Sequence, residues 1–554
     1  MSVSHSPRVV PVLVGALAAG LALAACSVPA PPGTPRAPGA GGTAEGARAA
    51  SVAAHPSELV LGDAQELGGY NPIRGYGELG VSQLYDGLLR LRSRDDATLP
   101  TLEPALAAAP PKVNADSTIW DVTLRDGVTF HDGSKFDAQD VVATYRAVLD
   151  PASASDIASS FAMIDKVDAT SRNSVRFTLK YPYVDFAARL LLSIAASEKF
   201  TPGPAEKSTL NRAPVGTGPY ALAELTPERA VFAANESYWG GAPQVKKLTT
   251  VYLPDDNSRA QRMAAGEIDG TNLPPALAAT FASTPGMRVD AVQSADWRGV
   301  SLPANSAFAK DPAARIALNL AADRSTMVTK ILAGHGRIAA TPVSSVYGAA
   351  YAEQVFPHDL QRAQTLLDAA GWAPGGDGIR RKGAEVAGFT IAYNPTDTLR
   401  RDLATAFAAD AKKVGVDVRL EALTFDQIEA RIGDLGVLLG GGDKPYSIDT
   451  QVFGALHTKV SGASPWDNPG GFGTPARDAA LERARRTADP AARAADYRDV
   501  QKDYLRDPSA VYLVFLDHTH VSKTDGWQRG PRVVEPHAHG VAWGPWWDLA
   551  AWKR

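Results

Sequence analysis

Three consecutive runs in the second half of the chain constrain its architecture most. They are "FTIAYN" (Phe389 to Asn394), "TDTLRRDLATAFAADAKKVG" (Thr396 to Gly415) and "VDVRLEAL" (Val416 to Leu423). Short β-branched and aromatic runs flanking a helical one predict a strand–helix–strand unit. That unit is the usual recipe for a parallel pair with a right-handed crossover. A parallel pair needs cover on its faces, which commits this part of the chain to a layered α/β lobe.

Similar texture runs through most of the 554 residues, a length that at about 150 residues per domain predicts two or three domains. "SELVLG" reads as a first strand, and a helix is expected near Glu78 to Leu89. "STIWDVTL", "NSVRFTLK", "RAVFAAN" and "VKKLTTVYL" read as strands, and "DDNSRAQRMAAGEID" as a helix. From Trp297 the pattern changes. Asp311 can cap a helix that begins at Pro312, and a second helix is expected over about Leu360 to Ala370. "ARDAALERARRTA" and "PAARAADYRDVQKDYLR" predict two more helices, before a strand "SAVYLVFLDHTHVSK" and a Trp-rich tail. The composite is two α/β lobes, the first carrying an inserted β-rich subdomain.

The N-terminus speaks to location. After Arg8 comes "VVPVLVGALAAGLALAAC", which ends at Cys26, the sole cysteine. The run is marginal for a membrane span, contains a proline and follows a positively charged start, so an export signal is preferred to an uncleaved anchor. "LAAC" resembles the bacterial lipobox, which implies cleavage before Cys26 and lipidation of its sulfur. Ser27 to about Ala54 is rich in Pro, Gly and Ala. It reads as a tether with a reach of about 30 Å. The net charge of −4, without a basic block, offers no footing for nucleic acid.

Several stretches look like chemistry. "LRDGVTFHDGSKFDAQDVV" gathers Asp126, His131, Asp132, Asp137 and Asp140, but its two Asp-Gly pairs are turn signals. Asp137 and Asp140 fall at the N-cap and N3 positions of a helix, and His131 is expected at a strand end. "GYGELG" (Gly75 to Gly80) matches a dinucleotide pattern without the strand that should precede it, and reads as a loop leading to a helix. The pairs His518/His520 and His537/His539 are expected on an exposed strand face. Gly-x-Ser-x-Gly and His-Glu-x-x-His are absent, and the mature chain has no thiol. A hydrolase with a dispersed Ser, His and Asp triad stays open, because triads follow geometry rather than spacing.

The acidic stretch, together with "LYDGLLRL", "APVGTGPYAL", "NESYWGGAPQVKKLTTVYLPDDNSRAQRMAAGEID" and "NSAFAKDPAARIALNLAADR" in that order, resembles the peptide/nickel/opine-type extracellular solute-binding proteins, family 5. The resemblance covers about Ser57 to Lys523. It implies a type II periplasmic-binding-protein-like fold of the large cluster C type, with two α/β lobes closing on a solute. The implied plan is a signal peptide at 1–25, a lipidated cysteine and tether at 26–56, and lobe 1 at 57–296 with an insert over about 82–200. Lobe 2 then occupies 297–517, and 518–554 return to lobe 1.

The implied activity is capture of short peptides, without catalysis or cofactor, at the outer face of the cytoplasmic membrane or in the periplasmic space. The implied partners are an ABC permease and its ATPase, and the protein is expected to act as a monomer. A nickel chelate, an opine or a sugar is the rival ligand, and a non-transport envelope lipoprotein the rival role. Peptide-binding relatives carry a Gly-Trp-x-x-Asp pattern whose aspartate pairs with the peptide amine. Here "LGGGDKPYSID" places Asp443 at the aspartate and Gly440 at the tryptophan, which is expected to widen the pocket. Asp449 is the fallback carboxylate. Tyr70, Asn71, Trp297, Arg298 and Trp466 are the other cleft candidates.

Overall fold

The computed structural model describes residues 57–458, 464–537 and 540–554. Cys26, its leader, the tether and His539 lie outside the described residues. One long mixed sheet organises the rest. It runs from Asp417–Ala422 through Gly388–Tyr393 and Gly436–Gly441 to the two longest strands, Met287–Ser301 and Ala510–Lys523. It continues through Gly270–Asn272, Glu58–Asp63, Lys247–Tyr252 and Arg229–Ala234 to Tyr220–Leu225. The expected parallel pair is present, in register from Gly388 opposite Asp417 to Tyr393 opposite Ala422. Its crossover helix, Thr398–Lys413, starts at an Asp397 cap and ends on Lys412 and Lys413, which suit the two poles of the helix dipole. Leu403, Ala404, Phe407 and Ala411 form its buried face. Asp311 caps Pro312–Ala321 as expected, accepting from the Ala313 amide at 3.0 Å.

A second sheet, with Lys112–Val113, Ile119–Thr123, Ser174–Leu179 and Ile164–Ser171 in that order, packs against the helix Ala138–Leu149. The acidic stretch of the sequence lies in this subdomain as turns and caps. Gly127 and Gly133 adopt φ of 76° and 86°, and Asp137 with Asp140 forms a reciprocal capping box. Asp132 pairs with Lys199 at 2.8 Å. His131 is half-buried between the Gly218 carbonyl and the Gly216 amide, and burial lowers its pKa.

The helix expected near Glu78 to Leu89 is replaced by turns. Gly77 and Gly80 take positive φ, and the Gly218 and Tyr220 amides donate to the Leu84 and Gln83 carbonyls. A loop has claimed the backbone acceptors a helix would use. For the same reason "GYGELG" leads to no helix.

The two long strands carry the sheet from one half of the molecule to the other. Met287–Gln293 pairs with Asp517–Lys523, beside Gly270–Asn272; Trp297–Ser301 pairs with Ala510–Phe515, beside Gly436–Gly441. Between Gln293 and Trp297 the register shifts, and residues 294–296 bulge out of the ladder. Glu535 fills the gap: its amide donates to Gln293 and its carbonyl accepts from Ala295.

The bulge holds a buried ionic knot. His518 Nδ1 lies 2.7 Å from Glu535 Oε2, and its Nε2 lies 3.1 Å from Asp296 Oδ2. With a carboxylate at each ring nitrogen, both nitrogens donate and the ring is an imidazolium. Burial opposes that charge, but the two carboxylates win and raise the His518 pKa to about 9. Burial likewise opposes ionised Glu535, yet His520 and His518 hold it at about 2. His518 and His520 are therefore buried, which corrects the expected exposed strand face: each points into the joint between the lobes, where Glu535 meets them both.

The knot makes stability pH-dependent on both sides. His518 is raised from 6.5, so its contribution is complete below about pH 6.5 and is lost as pH rises through about 9. Glu535 is lowered from 4.5, so its contribution is complete above that value and is lost as pH falls through about 2. The urea midpoint should be highest near pH 5–6, and His518→Gln should flatten the alkaline limb. An alkaline limb unchanged in the variant would remove His518 as its cause.

Candidate binding cavity

A cavity of about 800 Å³ opens beside this joint. Ser159, Ser160, Ala162, Met163, Tyr181, Tyr183 and Arg189 of the first-lobe insert form one wall. The other is built from Trp297, Gly299 and Ser301 of the first long strand, the glycine-rich turn Leu439 to Lys444, and the helix Ile448–Leu456. Phe425, Trp466 and Asp467 also line it, with Phe425 and Trp466 edge to face at 6.0 Å. A volume in this range suits a substantial small molecule.

Six lining side chains hold a buried polar atom without a hydrogen bond among the described residues: Arg189 Nε, Trp297 Nε1, Arg400 Nε, Gln451 Oε1, His457 Nε2 and Ser509 Oγ. Buried polar atoms are ordinarily paired, so a group of unsatisfied ones in side chains around one cavity makes it the candidate for polar recognition. Two of the six lie near a charge. Arg400 Nε is 3.0 Å from Asp397, and His457 Nε2 is 3.5 Å from Glu482.

Of the residues singled out in the sequence, Asp443, Asp449, Trp297 and Trp466 line the cavity. Asp443 is exposed and has no ion pair or hydrogen bond among the described residues. Asp467, close enough to feel Asp443's charge, has its pKa raised mainly by burial. Asp449 is already engaged, accepting from Arg485 at 3.0 Å and from the Tyr183 hydroxyl at 3.1 Å.

Tyr70 and Asn71 lie off the cavity wall. Tyr70 packs edge-on to Tyr76 and Phe232, and Asn71 caps the short helix Pro72–Arg74. Arg298 is also off the wall, behind it in the joint, paired with Asp296. Gly440 does not widen the pocket. A Cβ there would sit 2.4 Å from His537, 2.8 Å from Arg298 and 3.0 Å from Arg400, so three cationic or ring side chains fill the space of a tryptophan.

Sequence reasoning missed Arg189, Arg400, Arg485 and His457. Arg189 did carry a signal, as a lone charge inside "FAARLLLSIAA". The Arg485 guanidinium lies 3.4 Å over the Phe453 ring, which stacks in turn on His457 at 4.6 Å.

The lobes touch directly along one flank of the cavity. Lys444 donates to Glu78 at 2.7 Å and also to Ser160; Asp185 accepts from Ser447 at 2.8 Å and from Arg493 at 2.6 Å. With Tyr183–Asp449 these contacts bind the insert to the second lobe.

Residues 101–461 match the model of bacterial extracellular solute-binding proteins, family 5 Middle. The chain is 41% identical over 468 residues to Protein XP55 of Streptomyces lividans, covering 84% of each. NikZ of Campylobacter jejuni, solved with Ni(L-His), superposes with a TM-score of 0.79 at 24% identity, over 90% of this chain and 100% of that one. AppA of Bacillus subtilis, solved with a nonapeptide, gives 0.75 at 21% identity, over 89% and 98%. At these identities the two structures establish the fold, that of type II periplasmic binding proteins.

The flank contacts should act as a latch. Asp185→Asn combined with Lys444→Ala should weaken closure by about 1.4 kcal/mol, a factor of ten. The double variant should show a larger radius of gyration in small-angle scattering when solute-free, and when loaded it should release solute about tenfold faster than the parent. An unchanged radius and release rate would exclude a latch.

Proposed function

The chain belongs to the family 5 bacterial extracellular solute-binding proteins, and from that premise we propose that it captures short peptides between its lobes and presents them to an ABC permease. The observation that carries the peptide reading is Asp443. It is an ionisable carboxylate on the cavity wall without a cationic partner among the described residues, and Asp467 lies close by. A protonated amine placed there completes a charge-assisted pair. Arg400 supplies opposite charge elsewhere on the same wall; burial and the neighbouring Arg298 lower its pKa to about 10, which leaves it a cation at neutral pH. A zwitterionic solute fits a cavity with both signs, and closure lets contacts from both lobes act on one equilibrium.

A nickel chelate is the second reading, favoured by the His457 imidazole on the wall. Its Nδ1 is 2.6 Å from the Thr458 carbonyl, so Nε2, buried and 3.5 Å from Glu482, is the nitrogen that would have to turn toward a metal-bound solute.

Thermal unfolding with defined di- to pentapeptides, and native mass spectrometry of the co-purified solute, test the peptide reading. Peptides should raise the melting temperature and be recovered uncleaved, and Asp443→Ala should weaken them by ~2–5 kcal/mol, roughly 30-fold or more. Asp443 is not the anchor if affinity is unchanged in that variant. A shift with nickel–histidine alone would favour the second reading.

The address is part of the proposal: export by the leader, lipidation at Cys26 and a monomer tethered to the outer face of the membrane. Cys26→Ser should move the protein from the membrane fraction to the medium or periplasm and abolish labelling by radioactive palmitate. A variant that stays membrane-bound would refute the lipid anchor.

A further inference from the structure

Among the described residues, Arg189 is the cavity-lining arginine or lysine whose charge has no partner. It sits in the short helix Phe186–Leu191 of the first-lobe insert and is 5% exposed. Among the described residues its guanidinium makes no hydrogen bond or ion pair, and Nε is fully enclosed. The guanidinium carbon lies 5.8 Å from the centre of the Phe161 ring.

The carboxylates of this neighbourhood are already committed. Asp185 accepts from Arg493 and Ser447, and Asp449 accepts from Arg485 and Tyr183. Tyr183 lies within electrostatic reach of Arg189, Arg485, Asp185 and Asp449 together. Among the described residues around Tyr183, three guanidiniums therefore share two carboxylates, and Arg189, the one left over, is on the cavity wall.

A guanidinium cannot shed its proton at any ordinary pH, so burial cannot neutralise it as it would a lysine. Holding it unpaired out of water destabilises the protein. A residue needed only for packing at this place would be apolar, like its neighbours Phe186, Leu190 and Leu191. We propose that Arg189 is the subsite for a carboxylate of the bound solute, gripping it from the first lobe while the second lobe holds the rest. The planar fork of the guanidinium matches a carboxylate in two parallel hydrogen bonds. The solute is then a carboxylic acid whose acid group points to the insert. A peptide would enter with its carboxyl end toward Arg189 and its amine toward Asp443. This assignment rests on the cavity being the solute site, and it holds equally for a metal chelate built on carboxylates.

The test uses two matched probe pairs by calorimetry on the full mature chain: trialanine against trialanine amide, and nickel–histidine against nickel–histidinamide. In whichever pair binds, the acid should bind at least tenfold more tightly than the amide. Arg189→Gln should erase that gap and Arg189→Lys should keep part of it. Solute-free Arg189→Gln should melt at or above the parent temperature, because a buried unpaired charge has been removed. Binding by the nickel pair alone, with its gap erased in Arg189→Gln, would sink the peptide reading and sustain the Arg189 subsite. Equal binding of acid and amide, or a gap that survives Arg189→Gln, would overturn the subsite and leave the peptide reading standing. A lower melting temperature for solute-free Arg189→Gln would assign the side chain to structure, and binding of neither pair would overturn both ideas.

Discussion

The structure turns on one imidazolium held between two carboxylates. His518, Asp296 and Glu535 come from the two long strands and from the returning C-terminal segment, and they meet where the strand ladder breaks. An ordinary ladder through residues 294–296 would make the sheet one stiff plate from lobe to lobe. The bulge interrupts it, and the ionic knot supplies the missing tie with charge rather than regular backbone pairing. The knot also reaches the cavity. Asp296 pairs with Arg298, and Arg298 crowds Gly440 alongside His537, so the back of the cavity wall is assembled from the joint itself.

That connection explains how solute contacts and lobe position can share one equilibrium. The first-lobe wall is neutral or basic, with Arg189 as its charge, whereas Asp443 and Asp467 stand on the second-lobe wall. In the proposed reading, a solute held by one wall alone does not favour closure. One that satisfies both adds its own bridge to those of Lys444 and Asp185. The ion pairs Lys444–Glu78 and Arg493–Asp185 are partly exposed, and exposed pairs are individually weak.

Local patterns carried much of the fold into the sequence. The crossover unit, the Asp311 cap and the Asp137–Asp140 box are properties of a few adjacent residues, and they formed as read. The helix near Glu78 failed because its carbonyls are used by a loop far along the chain, which no local pattern records. The site divides the same way. Asp443, with Asp449 as its fallback, follows from resemblance to a family pattern, Trp297 from its place at the lobe crossover and Trp466 from its loop, and all four line the cavity. Tyr70 and Asn71, chosen for their place in a loop, are packing and capping residues. Arg400 and Arg485 sit in helices whose sequences look like ordinary charged surfaces, and only tertiary packing turns those faces inward.

The strand order also has a consequence for how the chain becomes a protein at all. Gly270–Asn272 lies between Glu58–Asp63 and the last long strand, Ala510–Lys523, and Trp546 and Trp552 pack into the core beneath Glu58–Asp63. A chain made from its N-terminus therefore produces nearly all of the first lobe, then the entire second lobe, before the strand that seals the first arrives. Until then the first lobe presents an open β edge and an unfilled apolar face, the features that invite mispairing with other chains. The second lobe, whose sheet also needs that strand, waits on the same event. Maturation is thus gated by the last few dozen residues, and a truncation there would leave two half-built lobes in place of one finished one.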